Sequence, residues 1–279
     1  MTPPKIPHFG TSGNPPNFFK SEFRKDRVNA PDWIKSIGLN AYERMMTYGA
    51  RMKPEDAVEL GKKAKEHDIA LSVHAAYYIV LTSDKPNVVE NSIKEFVKAL
   101  KLAELMGATK VVFHPGFKNV PNPIERCIEG IKKIKQIYKG PVKILPETMG
   151  KISQLGSLDE TLEICKQTDC EPCVDFAHLH ARNQGSLKSP EDYRKIALKI
   201  KKVLGLNALQ RLHCHFSPVE FTEKGEKRHR AVTEKNVFPK FEHFAPIIKE
   251  FEMAPTLISE SRDSQDIGAL EMQRILNES

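Results

Sequence analysis

Short runs of β-branched and apolar residues alternate along the chain with longer stretches whose apolar residues recur every three or four positions. A short apolar run is typical of a buried strand, and the longer spacing is typical of an amphipathic helix. Eight runs predict strands, with the sequences IPHFGTS, LNAYERMM, IALSVHA, TKVVFHP, VKILPET, EPCVDFA, LQRLHCHF and APTLISES. The connections between them are long enough to hold helices.

The predicted helices begin and end at residues that favour helix termini. Pro54 stands at a first-turn position with acidic residues beside it, and Ser157 is a suitable N-cap. Gly107 and Gly205 follow the last residues of two helices and are typical stop signals. The predicted helices are Pro54 to Glu66, Val88 to Met106, Pro123 to Tyr138, Leu158 to Gln167, Pro190 to Leu204, Phe238 to Phe251 and Ser264 to Leu276.

This alternation predicts the fold. Strands that alternate with helices form a parallel sheet, and eight such units predict an α/β protein with a single (β/α)8 TIM barrel. No linker or composition break interrupts the chain, so we expect one domain over residues 1–279. A doubly wound open sheet is the alternative, but no glycine-rich phosphate turn follows the first strand. The longest predicted loop, Phe216 to Val237, follows a strand and is therefore expected at the catalytic face.

Six of the eight predicted strands end in side chains that can bind a metal ion. They are His74, His114, Glu147, Asp175, His213 and Glu260, with His178 three residues beyond Asp175. A strand of a parallel sheet is buried on both faces, so a polar side chain there needs a reason. A lone histidine at such a position is more often structural, and Glu147 could pair with a lysine. Six strands with the same feature predict a metal site at the C-terminal rim of the barrel.

Two details of this pattern stay open in the sequence. His178 lies where the strand has already turned, so it can face a different ion from Asp175, and His229 in the long loop could join it. His213 and His215 are two residues apart and point to the same side of an extended strand. We favour His213 as the ligand, with His215 above it at the rim.

Composition adds limited constraints. The net charge of +7 and a pI near 9.0 favour a polyanionic partner over a neutral one. The five cysteines suggest a reducing compartment, and Cys165, Cys170 and Cys173 resemble a zinc knuckle that lacks a fourth ligand. The N-terminus lacks the layout of a signal peptide, and no apolar run is long enough for a membrane span. We therefore expect a cytoplasmic protein.

These segments resemble the endonuclease IV family of apurinic/apyrimidinic endonucleases, in the wider xylose-isomerase-like barrel group. The resemblance covers nearly the whole chain in order, and it rests on HAAY at His74 and Tyr77, FHPG at His114, PET at Glu147, CVDFAH at Asp175 and His178, the seventh-strand His213 and the last-strand Glu260. It implies a zinc-dependent DNA repair enzyme with two or three Zn²⁺ per chain, Mn²⁺ being an alternative. It further implies cleavage of the phosphodiester 5′ of an abasic site in double-stranded DNA, leaving a 3′ hydroxyl.

The chain departs from the family at one point. The family pattern after the seventh strand is Asp-Arg-His, and the aligned residues here are Lys227, Arg228 and His229. A lysine ammonium has no lone pair for a metal ion, so Lys227 is expected to face solvent or phosphate. Glu226 stands one residue too early and can reach inward only if the chain bulges by one residue before His229.

The resemblance also assigns expected roles. Glu147 is suited to bridge two ions, and Glu260 to bridge or to orient the attacking water, which makes both candidate catalytic residues. Tyr77 and Tyr78 are candidate wedges that enter bent DNA, and Arg51 is a weaker one, with packing against neighbouring residues as the alternative role. We expect a monomer, because a protein that wraps bent DNA needs its rim face free.

Two other functions compete with the nuclease. A sugar isomerase or epimerase on the same barrel holds a single divalent ion with residues like Glu147, Asp175, His213 and Glu260, which leaves His74, His114 and His229 without a use. A non-catalytic DNA-binding relative would be expected to have lost ligands. The number of metal ions per chain distinguishes the first two, since the nuclease needs two or three.

Overall fold

A computed structural model of the protein describes residues 6–279. Eight parallel strands form one sheet: β1 His8–Ser12, β2 Ala41–Met45, β3 Ala70–His74, β4 Lys110–Phe113, β5 Lys143–Pro146, β6 Cys173–Asp175, β7 His213–Phe216 and β10 Thr256–Ser259. A separate hairpin is built from β8 Val219–Thr222 and β9 Gly225–His229.

The sheet curls into a nearly closed barrel. Its strand order is β5-β4-β3-β2-β1-β10-β7-β6. The two outer strands meet at a parallel bridge between Glu147 and Cys173, where the Thr148 amide donates to the Cys173 carbonyl at 3.0 Å. The eight-stranded parallel barrel expected from the alternation of elements is therefore confirmed.

The helices surround the barrel. They are α1 Pro16–Lys20, α2 Ala30–Ser36, α3 Pro54–Glu66, α4 Pro86–Leu105, α5 Pro123–Ile137, α6 Leu158–Thr168, α7 Phe176–Arg182, α8 Pro190–Leu204, α9 Leu206–Gln210, α10 Ala245–Glu250 and α11 Gln265–Glu278. Three short 3-10 helices, Glu22–Lys25, Arg27–Asn29 and Phe241–His243, complete the set. Apolar side chains between the barrel and its helices, among them Phe96, Phe113 and Tyr193, form the main core.

Several elements differ from the sequence-based prediction, which did not include the short helices α1, α2 and α9. The segment Phe216 to Val237 contains the β8–β9 hairpin, so it is an ordered element rather than a plain loop. The short helix α7, which was not predicted, begins directly after β6 and carries His178. The predicted helix Phe238 to Phe251 is reduced to a 3-10 turn and the short α10.

None of the helices among residues 6–279 combines the length and the apolar character needed to cross a membrane. The main consequence of the fold lies at the carboxyl ends of the strands. The loops after all eight barrel strands meet there, and the hairpin rests on the same face.

Candidate metal centre

The predicted ligands sit where barrel strands end. His74 and Asp175 are the last residues of β3 and β6, while His114, Glu147 and Glu260 directly follow β4, β5 and β10. The strands of a parallel barrel all point the same way, so these side chains gather on one rim. The structure thus brings together five of the residues that the sequence proposes.

Glu147 is the centre of this arrangement. Its Oε2 lies 3.1 Å from Nε2 of His74 and 3.2 Å from Nε2 of His114. Nδ1 of His74 donates to the Ala75 carbonyl at 2.9 Å, which leaves Nε2 as the nitrogen with a free lone pair. Both imidazoles therefore meet at one oxygen of a buried carboxylate.

The other oxygen of Glu147 belongs to a second group. Oε1 lies 3.1 Å from Nδ1 of His215, and that nitrogen is 3.6 Å from Glu260 Oε1 and 4.0 Å from Asp175 Oδ2. One ligand atom from each of Glu147, Asp175, His215 and Glu260 fits within 4.8 Å of all the others. Glu147 therefore joins two neighbouring groups of ligand atoms.

His213 does not lie in either group. It is the first residue of β7, whereas His215 is the third, so His213 sits one layer deeper in the barrel. Its Nε2 contacts Glu43 Oε2 at 2.9 Å. The sequence-based preference for His213 over His215 is corrected here, because strand β7 begins at residue 213 and only its later residues reach the rim.

A third group forms between α7 and the hairpin. Nε2 of His178 lies 3.4 Å from Glu226 Oε2, and Nε2 of His229 lies 3.7 Å from Glu226 Oε1 and 3.7 Å from Glu260 Oε2. The other ring nitrogen of His178 donates to the Thr148 carbonyl at 2.8 Å, and that of His229 contacts the Ser217 hydroxyl. Atoms of Asp175, His178 and His229 also fit within 4.8 Å of one another.

A β-bulge turns Glu226 inward. Phe221 pairs with Glu226 and Glu220 pairs with Arg228, so Lys227 is the extra residue of β9. Glu226 and His229 consequently face the site together, while Lys227 points outward and forms an ion pair with Glu220 at 2.6 Å. The one-residue bulge that the sequence requires for an inward Glu226 is present.

Two glycines allow the hairpin to approach the barrel. A Cβ on Gly150 would stand 2.6 Å from Glu226 Cβ and 2.9 Å from His178 Cδ2. Gly225 has φ +89°, a left-handed conformation that favours glycine, and the next amide, of Glu226, donates to the Gly150 carbonyl at 3.1 Å. The hairpin therefore docks on the loop after β5 by backbone contact.

Burial and charge oppose each other across the centre. Burial alone would raise the pKa of the Glu147 carboxyl, but the imidazoles of His215 and His114 hold it well below its ordinary range. Burial raises the pKa of Asp175, although His178 and His229 act against this. Burial lowers the pKa of His114.

The donor set fits divalent cations. Imidazole nitrogens and carboxylate oxygens are the ligands that zinc accepts, and a carboxylate can bridge two ions. The Asp175 side chain is fully buried at the centre. Its Oδ2 atom nevertheless has no hydrogen-bond partner among residues 6–279. A cation at this point would satisfy that oxygen and would relieve the repulsion among the clustered carboxylates.

The candidate DNA-contacting residues lie at different distances from this centre. A cavity of about 680 Å³ opens over it, and Tyr77 lines the wall with its ring stacked on His114 at a centroid distance of 5.2 Å. Tyr78 lies outside that lining and is half-exposed. Arg51 lines a neighbouring groove rather than the cavity itself.

Sequence reasoning missed several residues around the centre. Lys151, Arg228 and Arg262 line the cavity and give its mouth positive charge. Glu43 is buried inside the barrel below the rim and contacts both His213 and His215. A signal for Glu43 was present, since a glutamate in the middle of a predicted buried strand is as unusual as a histidine there.

The chain is similar to proteins of several activities. It is 34% identical over 261 residues to an uncharacterized protein of Methanocaldococcus jannaschii, covering 91% of both chains. It is 27% identical over 203 residues to the probable endonuclease 4 of Halothermothrix orenii, covering 67% of this chain and 73% of that one.

Among solved structures, endonuclease IV from Thermus thermophilus aligns with a TM-score of 0.74 at 19% identity, covering 98% of this chain and all of the other. A D-psicose 3-epimerase from Clostridium cellulolyticum aligns with a TM-score of 0.70 at 13% identity, covering 96% and 99%. Both likenesses show the shared fold. Because the model of the xylose isomerase-like TIM barrel family matches residues 31–277, the chain belongs to that family.

Proposed function

We propose that this protein is a metal-dependent endonuclease of the endonuclease IV type, which cleaves the phosphodiester 5′ of abasic sites in duplex DNA and leaves a 3′ hydroxyl. The observation that carries the proposal is the number of converging ligands. Eight side chains form three adjoining groups on one face of the barrel: His74, His114, Glu147, Asp175, His178, His215, His229 and Glu260, with Glu226 beside the third. One divalent ion needs about four of them.

The three groups share their carboxylates. Glu147 would hold two ions, one with His74 and His114 and one with Asp175, His215 and Glu260. His178, Glu226 and His229 would hold the third, next to Glu260. When bound, such ions supply an acidic water, a clamp on the non-bridging phosphate oxygens and charge for the leaving oxygen.

The remaining residues of the cavity suit a DNA substrate. The side chains of Lys151 and Arg262 lie at the mouth, where they can pair with phosphates on either side of the cleaved bond. Tyr77 presents a half-exposed ring beside His114, in a position to stack on a base or fill the gap left by a missing one. The net charge of +7 adds a general attraction for the polyanion.

The alternative is a sugar epimerase or isomerase with a single ion. The likeness to the D-psicose 3-epimerase favours it, and the group of Glu147, Asp175, His215 and Glu260 would be sufficient. That function leaves His74, His114 and His229 without a role, although all three point their Nε2 atoms at the shared carboxylates. We therefore prefer the nuclease.

A defined duplex tests the proposal. The zinc-loaded protein is incubated with a 5′-labelled oligonucleotide duplex that carries one tetrahydrofuran abasic analogue, beside the same duplex without the lesion. We expect a single cut at the lesion, and a product that DNA polymerase extends without further processing. No cut in the lesion duplex, together with turnover of a ketohexose, would replace the nuclease by the epimerase.

A further inference from the structure

The imidazole of His215 differs from the other candidate ligands in what holds its second nitrogen. In His74 and His178 the second nitrogen donates to a backbone carbonyl, of Ala75 and Thr148 respectively. In His215 the second nitrogen, Nε2, faces a carboxylate: Glu43 Oε1 lies 2.9 Å away.

Both side chains of this contact are enclosed in the protein interior. Neither Nε2 of His215 nor Oε1 of Glu43 has a well-aligned hydrogen-bond partner among residues 6–279, and both side chains are fully buried. Nδ1 of His215 is the nitrogen that faces Glu147, Asp175 and Glu260. If Nδ1 binds a cation, the ring proton must sit on Nε2, and the Glu43 carboxylate is beside it to accept the proton.

The other oxygen of Glu43 is fixed by two donors. The Ser72 hydroxyl, on the neighbouring strand β3, donates to Oε2 at 2.8 Å, and Nε2 of His213 lies 2.9 Å from the same atom. Because a carboxylate oxygen can only accept, the nitrogen of His213 that faces Glu43 is the one that carries the ring proton and donates. These contacts keep the carboxylate from rotating away from His215.

We propose that Glu43 is a positioning residue for His215, which accepts the Nε2 proton and thereby directs Nδ1 at the metal centre. This inference rests on the metal-dependent function proposed above. A carboxylate behind a ligating histidine fixes the tautomer and orientation of the ring and makes the ligand nitrogen more basic. The unusual placement of a glutamate in the interior of strand β2 then has a physical reason.

The role also explains His213. That residue repeats the ligand type of His215 two positions earlier in the strand, yet it faces the barrel interior beneath the rim. Together with Ser72 it holds the back of the Glu43 carboxylate, so the three residues form a supporting layer under the candidate metal centre.

The test measures metal binding rather than catalysis. Zinc is titrated into chelator-treated wild type, Glu43→Gln, Glu43→Asp and Glu90→Gln, with a competing chromogenic chelator. Gln keeps the size of Glu and removes the charge, while Asp keeps the charge and withdraws it from His215. Glu90→Gln is the matched control, because it makes the same substitution at an exposed residue of α4 whose carboxylate pairs with Lys94.

We expect the affinity for one ion to fall by about 10–100-fold in both Glu43 variants, with the other ions and the Glu90→Gln variant changed by less than about 3-fold. A second readout is the imidazole ¹⁵N spectrum, in which zinc-loaded wild type should show His215 protonated at Nε2, with that signal altered in Glu43→Gln. If Glu43→Gln does not fold, Glu43→Asp answers the same question.

Three results would overturn the inference. The first is wild-type affinity for every ion in both Glu43 variants, and the second is an equal loss in Glu90→Gln. The third is a thiolate-to-cobalt absorption band in the Co²⁺ form that Cys173→Ser abolishes. That band would place an ion among Cys173, His213 and His215, whose ligand atoms also lie within 4.8 Å of one another. Glu43 would then be a ligand of that ion rather than a positioning residue. A wild type that binds metal but does not cut DNA would contradict the nuclease alone.

Discussion

The three ligand groups are built on two kinds of support. The two groups that share Glu147 lie in or directly after barrel strands, and pairing with neighbouring strands fixes His74, Asp175 and His215. The third group depends on α7 and on a two-stranded hairpin that contacts the barrel through Gly150 and the loop around it. A barrel rim tolerates little change in ligand position, whereas a hairpin can deliver a ligand by altering its own register. Lys227, the one departure from the ligand pattern expected from the sequence, lies in this hairpin.

The largest expected effects come from the carboxylates that join groups. Glu147→Ala removes the two oxygens that face both barrel groups, and Glu260→Ala removes the oxygens that face His215 and His229. We expect incision of abasic duplex to fall more than about 10³-fold in either variant, since several kcal/mol of metal-assisted stabilisation is lost. Single-turnover gel assays measure this.

The control for these variants is Glu163→Gln, a half-buried residue of α6 whose carboxylate accepts a hydrogen bond from the Gln167 side chain. Circular dichroism should show intact folds, because the residues of a barrel rim contribute function rather than core packing. Near-normal turnover in Glu147→Ala or Glu260→Ala would remove the assignment of the centre.

An intermediate effect is expected in the hairpin. Glu226→Ala should release only the ion held with His178 and His229, while the two barrel ions remain. Lys227→Ala is the matched control, since Lys227 is the next residue and faces outward toward Glu220. Metal content per chain after gel filtration would show one ion lost in the first variant and none in the second.

A double variant sharpens the comparison with the family pattern. Glu226→Ala combined with Lys227→Asp places a carboxylate at the position where the endonuclease IV pattern leads us to expect aspartate. Because the bulge turns residue 227 away from the site, we expect no recovery of the third ion. Full recovery would mean that residue 227 faces the site, which contradicts the pairing of Glu220 with Arg228 and of Phe221 with Glu226.

The smallest expected effect is on DNA binding. Tyr77→Ala should weaken the affinity for abasic duplex by about 1–3 kcal/mol, the range for loss of one stacking contact. Metal content should stay within error, although Tyr77 stacks on His114. Tyr78→Ala, outside the cavity lining, serves as the control, and fluorescence anisotropy at fixed salt gives both affinities. An unchanged affinity in Tyr77→Ala would exclude the wedge role.

The sequence predicts the barrel and most of its rim because both follow from local patterns. Apolar runs followed by His, Asp or Glu mark the strand ends, and parallel strands bring those ends together. The choice between His213 and His215 needed the starting residue of β7, which depends on pairing with β6 and β10 rather than on local sequence.

The hairpin and the supporting layer were harder to foresee. The inward turn of Glu226 depends on a bulge set by pairing between β8 and β9, and on contact with Gly150, which no periodicity records. The mid-strand position of Glu43 can be read from the sequence, but its role cannot, because its partners come from strands that are distant in the sequence.

The central claim is that three cations share this rim, two on the barrel and one under the hairpin. Crystals of the wild type grown with excess zinc, and measured on both sides of the zinc absorption edge, test it directly. The account predicts three anomalous peaks: one beside His74, His114 and Glu147, one among Glu147, Asp175, His215 and Glu260, and one among His178, Glu226 and His229. A single peak at the second position, with none at the first or third, would contradict the account and leave a one-metal enzyme of the epimerase kind.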